Sequence, residues 1–116
     1  MKKILRKASG WLVTIYANRT FKKAVKTAEE AHAKLGERIY VVSSFSDISE
    51  LVVLNRDTFR KMKKMYNLRH TDLSSLMEGA WYYTADRAGK NGLPAKEKEV
   101  RRLAFVRHML MRAKLL

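Results

Sequence analysis

The stretch "RIYVVSSFSDISELVVLNR", residues 38–56, decides what kind of fold this chain can adopt. It holds two short β-branched and aromatic runs, "RIYVVSS" and "ELVVLNR", separated by the polar "FSDIS". Two strands so close in sequence make an antiparallel hairpin most simply, with strands at about 38–44 and 50–55. Both runs are nearly continuous in apolar residues, which predicts that a helix covers at least one face. Everything around them repeats with a helical period, so the expected class is a helix-rich α+β domain.

Upstream, Ile4, Leu5, Ala8, Trp11, Leu12, Ile15 and Tyr16 fall within an arc of roughly 140° at ~100° per residue. A second stripe follows: Phe21, Ala24, Val25, Ala28, Ala31, His32 and Leu35. Continued in phase, the two stripes would lie on nearly opposite sides of one rod. A straight helix would then need two cores, so the pattern predicts a break near Asn18–Thr20, with Asn18 or Thr20 capping a new helix. Gly36 stands where a helix-ending left-handed residue belongs.

Downstream, Asn55 or Asp57 can cap a helix through about Tyr66. Thr71 or Asp72 can open the next, burying Leu73, Leu76, Met77, Ala80 and Trp81. "ADRAGKNGLP" is a loop, and Pro94 suits the first turn of a last helix, "AKEKEVRRLAFVRHMLMRAK". The expectation is one domain over residues 1–116, in which about five helices pack on one hairpin.

Charge is the compositional outlier. The chain has 25 Lys and Arg against 11 Asp and Glu, a formal +14. Residues 1–28, 58–71 and 100–116 contain no acid yet hold 8, 5 and 5 of the basic residues. Such a balance fits a nucleic-acid, anionic-membrane or acidic-protein partner. No cysteine is present, which excludes disulfides, thiolate metal sites and Cys nucleophiles and suits a reducing cytoplasm. The basic start followed by "WLVTIYA" imitates a signal peptide, but the apolar run is short and Ile15 and Tyr16 are bulky before a cut after Ala17. A folded helix is the expectation there, with no membrane span and a cytoplasmic location.

The order of elements from about Ala28 to Leu93 resembles small basic proteins of unknown function encoded in gut-anaerobe genomes. The resemblance rests on a helix ending in Gly, the hairpin "YVV…LVVLNRDTFRKMK", a helix into "WYYT", and a "G…GLP" loop. It implies an ordering of elements and no activity.

The segment "FRKMKKMYNLRH", residues 59–70, carries the main functional signal. On a wheel Phe59, Met62, Met65 and Tyr66 share one side, while Arg60, Lys61, Lys63 and Lys64 span about 40° to 200° on the other. No acid lies three or four residues away to offset their repulsion, and a phosphate backbone would. A plainly solvated face is the competing reading. Asn67 and Leu68, with Leu73 and Leu76, also sketch a helix-turn-helix, although Lys63 fills a position that normally needs a small residue. Two ordinary helices joined by a loop explain the same spacing.

In the last helix, Val100, Leu103, Ala104, Val106, Leu110, Met111 and Ala113 form a broad apolar side. Opposite stand Lys98, Arg101, Arg102, His108 and Arg112, with Phe105 and Met109 among them. Those two residues suit base stacking or packing on another helix or a second copy of the chain, a homodimer through the last helix. Trp81, Tyr82 and Tyr83 offer a stacking platform or, more commonly, a core-and-rim cluster anchoring the next loop. His32, His70 and His108 show no metal spacing, and no nucleophile elbow or phosphate-cradling loop occurs.

The reading is therefore a non-enzymatic nucleic-acid-binding protein without cofactor, regulatory or accessory to a phage or mobile element. Its phosphate contacts would be Arg60, Lys61, Lys63, Lys64, Arg69, Arg101, Arg102 and Arg112. DNA and RNA are not distinguished. The alternatives are an inhibitor or assembly factor for an acidic protein, or a membrane-surface binder using the N-terminal amphipathic helix.

Overall fold

A computed structural model describes residues 2–44, 50–65 and 73–114, with side chains described from Gly10 in the first helix and from Leu76 in the third. The elements are α1 (Lys2–Leu35), β1 (Tyr40–Ser43), β2 (Leu51–Leu54), α2 (Arg56–Met65), α3 (Leu73–Gly79), β3 (Tyr82–Tyr83) and α4 (Ala95–Arg112). The α+β class and the hairpin are as expected, with Val42 opposite Val52 and Tyr40 opposite Leu54. Two features differ: the described residues contain four helices rather than five, and the sheet has a third strand, in the antiparallel order β2-β1-β3.

The sheet carries a core on each face, which accounts for the unbroken apolar runs of its strands. Ile39, Val41 and Tyr82 point into a core made with Ala17, Phe21, Val25, Ala28, Phe105 and Met109 of α1 and α4. Tyr40, Val42 and Leu54 point the other way, onto Phe59, Leu76 and Ala80. Successive strand residues thus serve opposite cores, as the two-residue strand period requires.

The missing helix is explained by α1, which runs unbroken through Asn18–Thr20 for 34 residues. No proline or glycine stands there to interrupt it. Its buried face is the second stripe extended backwards through Ala17 to Val13. Three alanines on that face, Ala17, Ala24 and Ala28, let the sheet and α4 approach closely. Of the described residues of the first stripe, Ile15 is half-buried, and Trp11, Leu12 and Tyr16 are left outside at 65%, 59% and 54% exposed. The second core that a straight helix would need is simply not supplied by the described chain.

The ends of α1 and α2 follow local chemistry. Gly36 adopts φ 67°, and its N–H donates to His32 O at 2.8 Å. His32 Nδ1 lies 2.8 Å from Glu37 O, and because a carbonyl can only accept, that nitrogen carries the proton. Asn55 is the cap of α2, accepting the Thr58 N–H at 2.8 Å, and its amide donates to Glu37. Pro94 sits one residue ahead of α4 as its N-cap, not within the first turn.

The third strand replaces the end of a predicted helix. α3 stops at Gly79, and Trp81 N–H and Thr84 N–H donate to Val41 O and Ile39 O at 2.8 and 2.9 Å. Trp81 packs edge-on against Phe105 with centroids 5.3 Å apart and donates its indole N–H to Ser43 Oγ. Tyr82 is buried; its hydroxyl donates to Glu29, and burial first, then the Glu29 charge, pushes its pKa up to about 12.

α4 uses only part of the expected side, since Val106 and Leu110 pack as expected but are joined by Phe105 and Met109. Phe105, Val106 and Met109 are buried, while Val100, Leu103 and Met111 face solvent. Phe105 reaches both Phe21 and Trp81, and aromatic rings carry more buried area than the aliphatic residues opposite. Phe105 and Met109 are therefore core residues and offer no base-stacking surface.

Candidate nucleic-acid interface

α2 is held by its apolar side. Phe59 is buried in the α2–α3 core and Met62 packs beside it, half-buried with Val52. Arg60, Lys61 and Lys64 are exposed, as is Arg56 at the helix start, while Lys63 is half-buried at the margin of the packed side. Met65 departs from the wheel: it is 76% exposed at the last residue of α2. Among the described residues no carboxylate pairs with any of these cations. The ion pairs present are Arg38–Asp86, Arg87–Glu37 and Arg102–Glu99. The helix itself favours part of the pattern, since Lys63 and Lys64 lie in its last turn and Asp57 in its first. Each such placement contributes about 0.3–1 kcal/mol through the helix dipole. Arg60 and Lys61 receive no such support.

The other expected contacts are distributed differently. Arg101 Nη1 donates to Met77 O at 3.0 Å and Ala80 O at 2.6 Å, and its guanidinium stands 5.4 Å over the Tyr83 ring. It therefore tethers the end of α3 to α4. Arg102 makes a two-pronged contact with Glu99 at 2.8 and 2.7 Å and donates to Asn18 Oδ1 at 2.5 Å. That pairing holds the Glu99 carboxyl below the usual carboxylate range and raises the arginine. Arg112 is exposed at the far end of α4, beside Leu12 and Tyr16. It lies across the sheet from α2, so the two do not make one surface. Arg69 and the turn of the helix-turn-helix reading fall outside the described residues.

Continuity of α1 lines up four cations of the acid-free 1–28 window that the expected site did not include. Arg19, Lys22, Lys23 and Lys26 are all exposed. Their spacing of three and four is visible in the sequence, but an expected break at 18–20 conceals that it continues the Trp11–Tyr16 stripe. Arg19 and Lys23 also wall a groove of about 740 Å³ between α1 and β2.

The loop before α4 is organised on itself. Asp86 accepts N–H groups from Ala88 and Lys90 at 3.0 and 2.9 Å, and the Lys90 bond is the main reason its carboxyl sits below its ordinary range. Arg38 fastens this loop, donating to Asn91 O at 2.9 Å and Thr84 O at 3.3 Å. Among the described residues no three His, Asp or Glu side chains converge as metal ligands would.

Comparison with known proteins adds no partner or activity: the chain matches no family model, no curated protein and no solved structure.

Proposed function

We propose that this chain is a nucleic-acid-binding protein that grips the phosphate backbone through Arg60, Lys61 and Lys64 of α2, with no chemistry of its own. The observation that carries this reading is the division of α2. Phe59 and Met62 on its apolar side are already packed, and its exposed cations have no acidic partner among the described residues. Phosphates would relieve their repulsion and release condensed counterions. Contacts of this kind position a protein without reading sequence, which suits a regulatory or accessory role. A plain solvated face would give no such binding.

Three phosphate contacts predict a slope of about −2.7 for log affinity against log salt on duplex DNA, or a loss of roughly 40-fold between 50 and 200 mM. The variant Arg60→Gln, Lys61→Gln, Lys64→Gln should lose most of that slope while keeping its far-UV circular dichroism. Glutamine is preferred to glutamate because it retains helix propensity and does not place an acid at the helix C-terminus. A variant that bound duplex DNA, single-stranded DNA and RNA as tightly as the parent would remove α2 from consideration.

A second reading is favoured by the exposed Trp11, Leu12 and Tyr16 beside the Arg19–Lys26 stripe. Aromatic and aliphatic residues next to cations suit an anionic membrane surface. No described helix is long and apolar enough to cross a membrane, so any attachment would be to the surface. Flotation with anionic but not neutral vesicles, and its loss in Trp11→Ser, Leu12→Ser, Tyr16→Ser, is the expected result. Flotation retained by that triple variant would reject it.

A further inference from the structure

β2 is an outer strand, and its outward edge is open. On β1, Ile39 O and Val41 O accept from the β3 side, whereas Ser44 N–H donates to Glu50 O at 2.9 Å on the β2 side. Odd-numbered residues of β1 thus face β3 and even-numbered ones face β2. With Val42 opposite Val52 and Tyr40 opposite Leu54, it follows that Val52 and Leu54 bond to β1. Leu51 and Val53 turn their N–H and C=O groups away from the sheet. Among the described residues none of these four groups is hydrogen-bonded. Directly alongside runs the groove of about 740 Å³, with Tyr16, Arg19, Thr20 and Lys23 of α1 facing Leu51 and Val53.

The geometry points to a docking site on the β2 edge for an extended acidic segment of a partner protein, added as a further strand beneath Arg19 and Lys23. The backbone groups select the class of occupant. The edge alternates donors and acceptors, which another peptide backbone matches group for group. A phosphate backbone offers acceptors only and would set its anionic oxygens against the carbonyls of Leu51 and Val53.

The side chains select the charge, because Arg19 and Lys23 outnumber the one carboxylate in the groove lining, Glu50. Arg19 and Lys23 are one helical turn apart, about 6 Å along the axis. Alternate residues of a strand advance about 6.7 Å, so acids at every second position of the segment meet both cations. A second copy of this chain is a poor occupant, because β2-to-β2 pairing would bring together two chains of formal charge +14. This site does not use the α2 cations and does not rest on the nucleic-acid reading.

The test uses an acetylated octapeptide of alternating threonine and glutamate, with a control peptide of the same sequence N-methylated at every second residue. Fluorescence anisotropy should show binding of the first and not of the second. At a peptide concentration ten times Kd, amide exchange at Leu51 and Val53 should slow about tenfold, with little change at Val52. Arg19→Gln, Lys23→Gln should weaken binding at least tenfold, whereas Arg60→Gln, Lys61→Gln, Lys64→Gln should not. Leu51→Pro removes an unpaired donor at the first strand residue, where proline is tolerated, and should abolish binding with the fold kept. Equal binding of the N-methylated peptide would overturn the proposal, as would unchanged exchange at Leu51 and Val53. Protection of those amides by concentration-dependent self-association without peptide, or equally by single-stranded DNA, would overturn it too. If Leu51→Pro fails to fold, the two peptides alone decide.

Discussion

Phe105→Ala should destabilise the fold by about 3–5 kcal/mol, the largest effect expected of any single side-chain truncation in this core. Phe105 is fully buried, and its ring meets Phe21 at 6.1 Å and Trp81 at 5.3 Å. Removing it deletes contacts to α1 and to the residue leading into β3 together. Collapse into the cavity is opposed from three directions, by α1, by the sheet and by α4 itself. Domains of this kind hold only about 5–15 kcal/mol of net stability, so this loss is a large part of the whole. Leu103→Ala, two residues away on the exposed side, should change stability by less than about 0.5 kcal/mol. Urea unfolding of the two variants checks both. Had α4 packed by the broad Val100–Met111 side that the wheel suggests, Leu103→Ala would be the costlier change.

Arg101→Ala should cost about 2–4 kcal/mol of stability and leave the salt dependence of nucleic-acid binding unchanged. The guanidinium donates to two carbonyls, Met77 O and Ala80 O, at the C-terminal end of α3. The last carbonyls of a helix have no partner within it, and charge-assisted donors are the strongest replacements. α3 has only seven residues, far fewer than an isolated helix needs, so it depends on such tethers. The stack on Tyr83 is lost as well. Arg101→Lys should recover only part of the stability, because a lysine cannot reproduce the planar fork. A loss of salt slope in Arg101→Ala, at full stability, would return this residue to the binding surface.

Arg101 also illustrates where a charge count stops being informative. In sequence it stands in an acid-free window beside Arg102 and Arg112, and it is indistinguishable from a surface cation. Its partners are backbone carbonyls that lie 21 and 24 residues away, and carbonyls leave no mark in composition. Arg102 is different. Its partner Glu99 lies three residues back on the same helix, so that pairing was legible, although the bond to Asn18 was not. On α2 both halves of the pattern were local, and the separation of Phe59 from Arg60, Lys61 and Lys64 followed from the helical period alone. The edge of β2 was the least accessible. Nothing in "ELVVLNR" says which side of the strand pairs, since that depends on where β3 attaches to β1.

The amino-acid sequence by itself determined the features that depend on residues near one another along the chain. These are the two strands of the hairpin, the Gly36 stop and the two-sidedness of α2, whereas the choice between Asn55 and Asp57 as the α2 cap came from the structure. Each rests on a backbone preference or a periodicity contained within a few residues. Tertiary structure alone decided which apolar stripe is used when a helix carries two. In α1 the stripe from Val13 to Ala31 wins, and Trp11, Leu12 and Tyr16 are left outside. In α4 Phe105 and Met109 win over Val100, Leu103 and Met111. The physical reason is common to both helices. An apolar face is buried only if another element of the chain arrives to cover it, and the described elements supply one partner surface for each helix, not two.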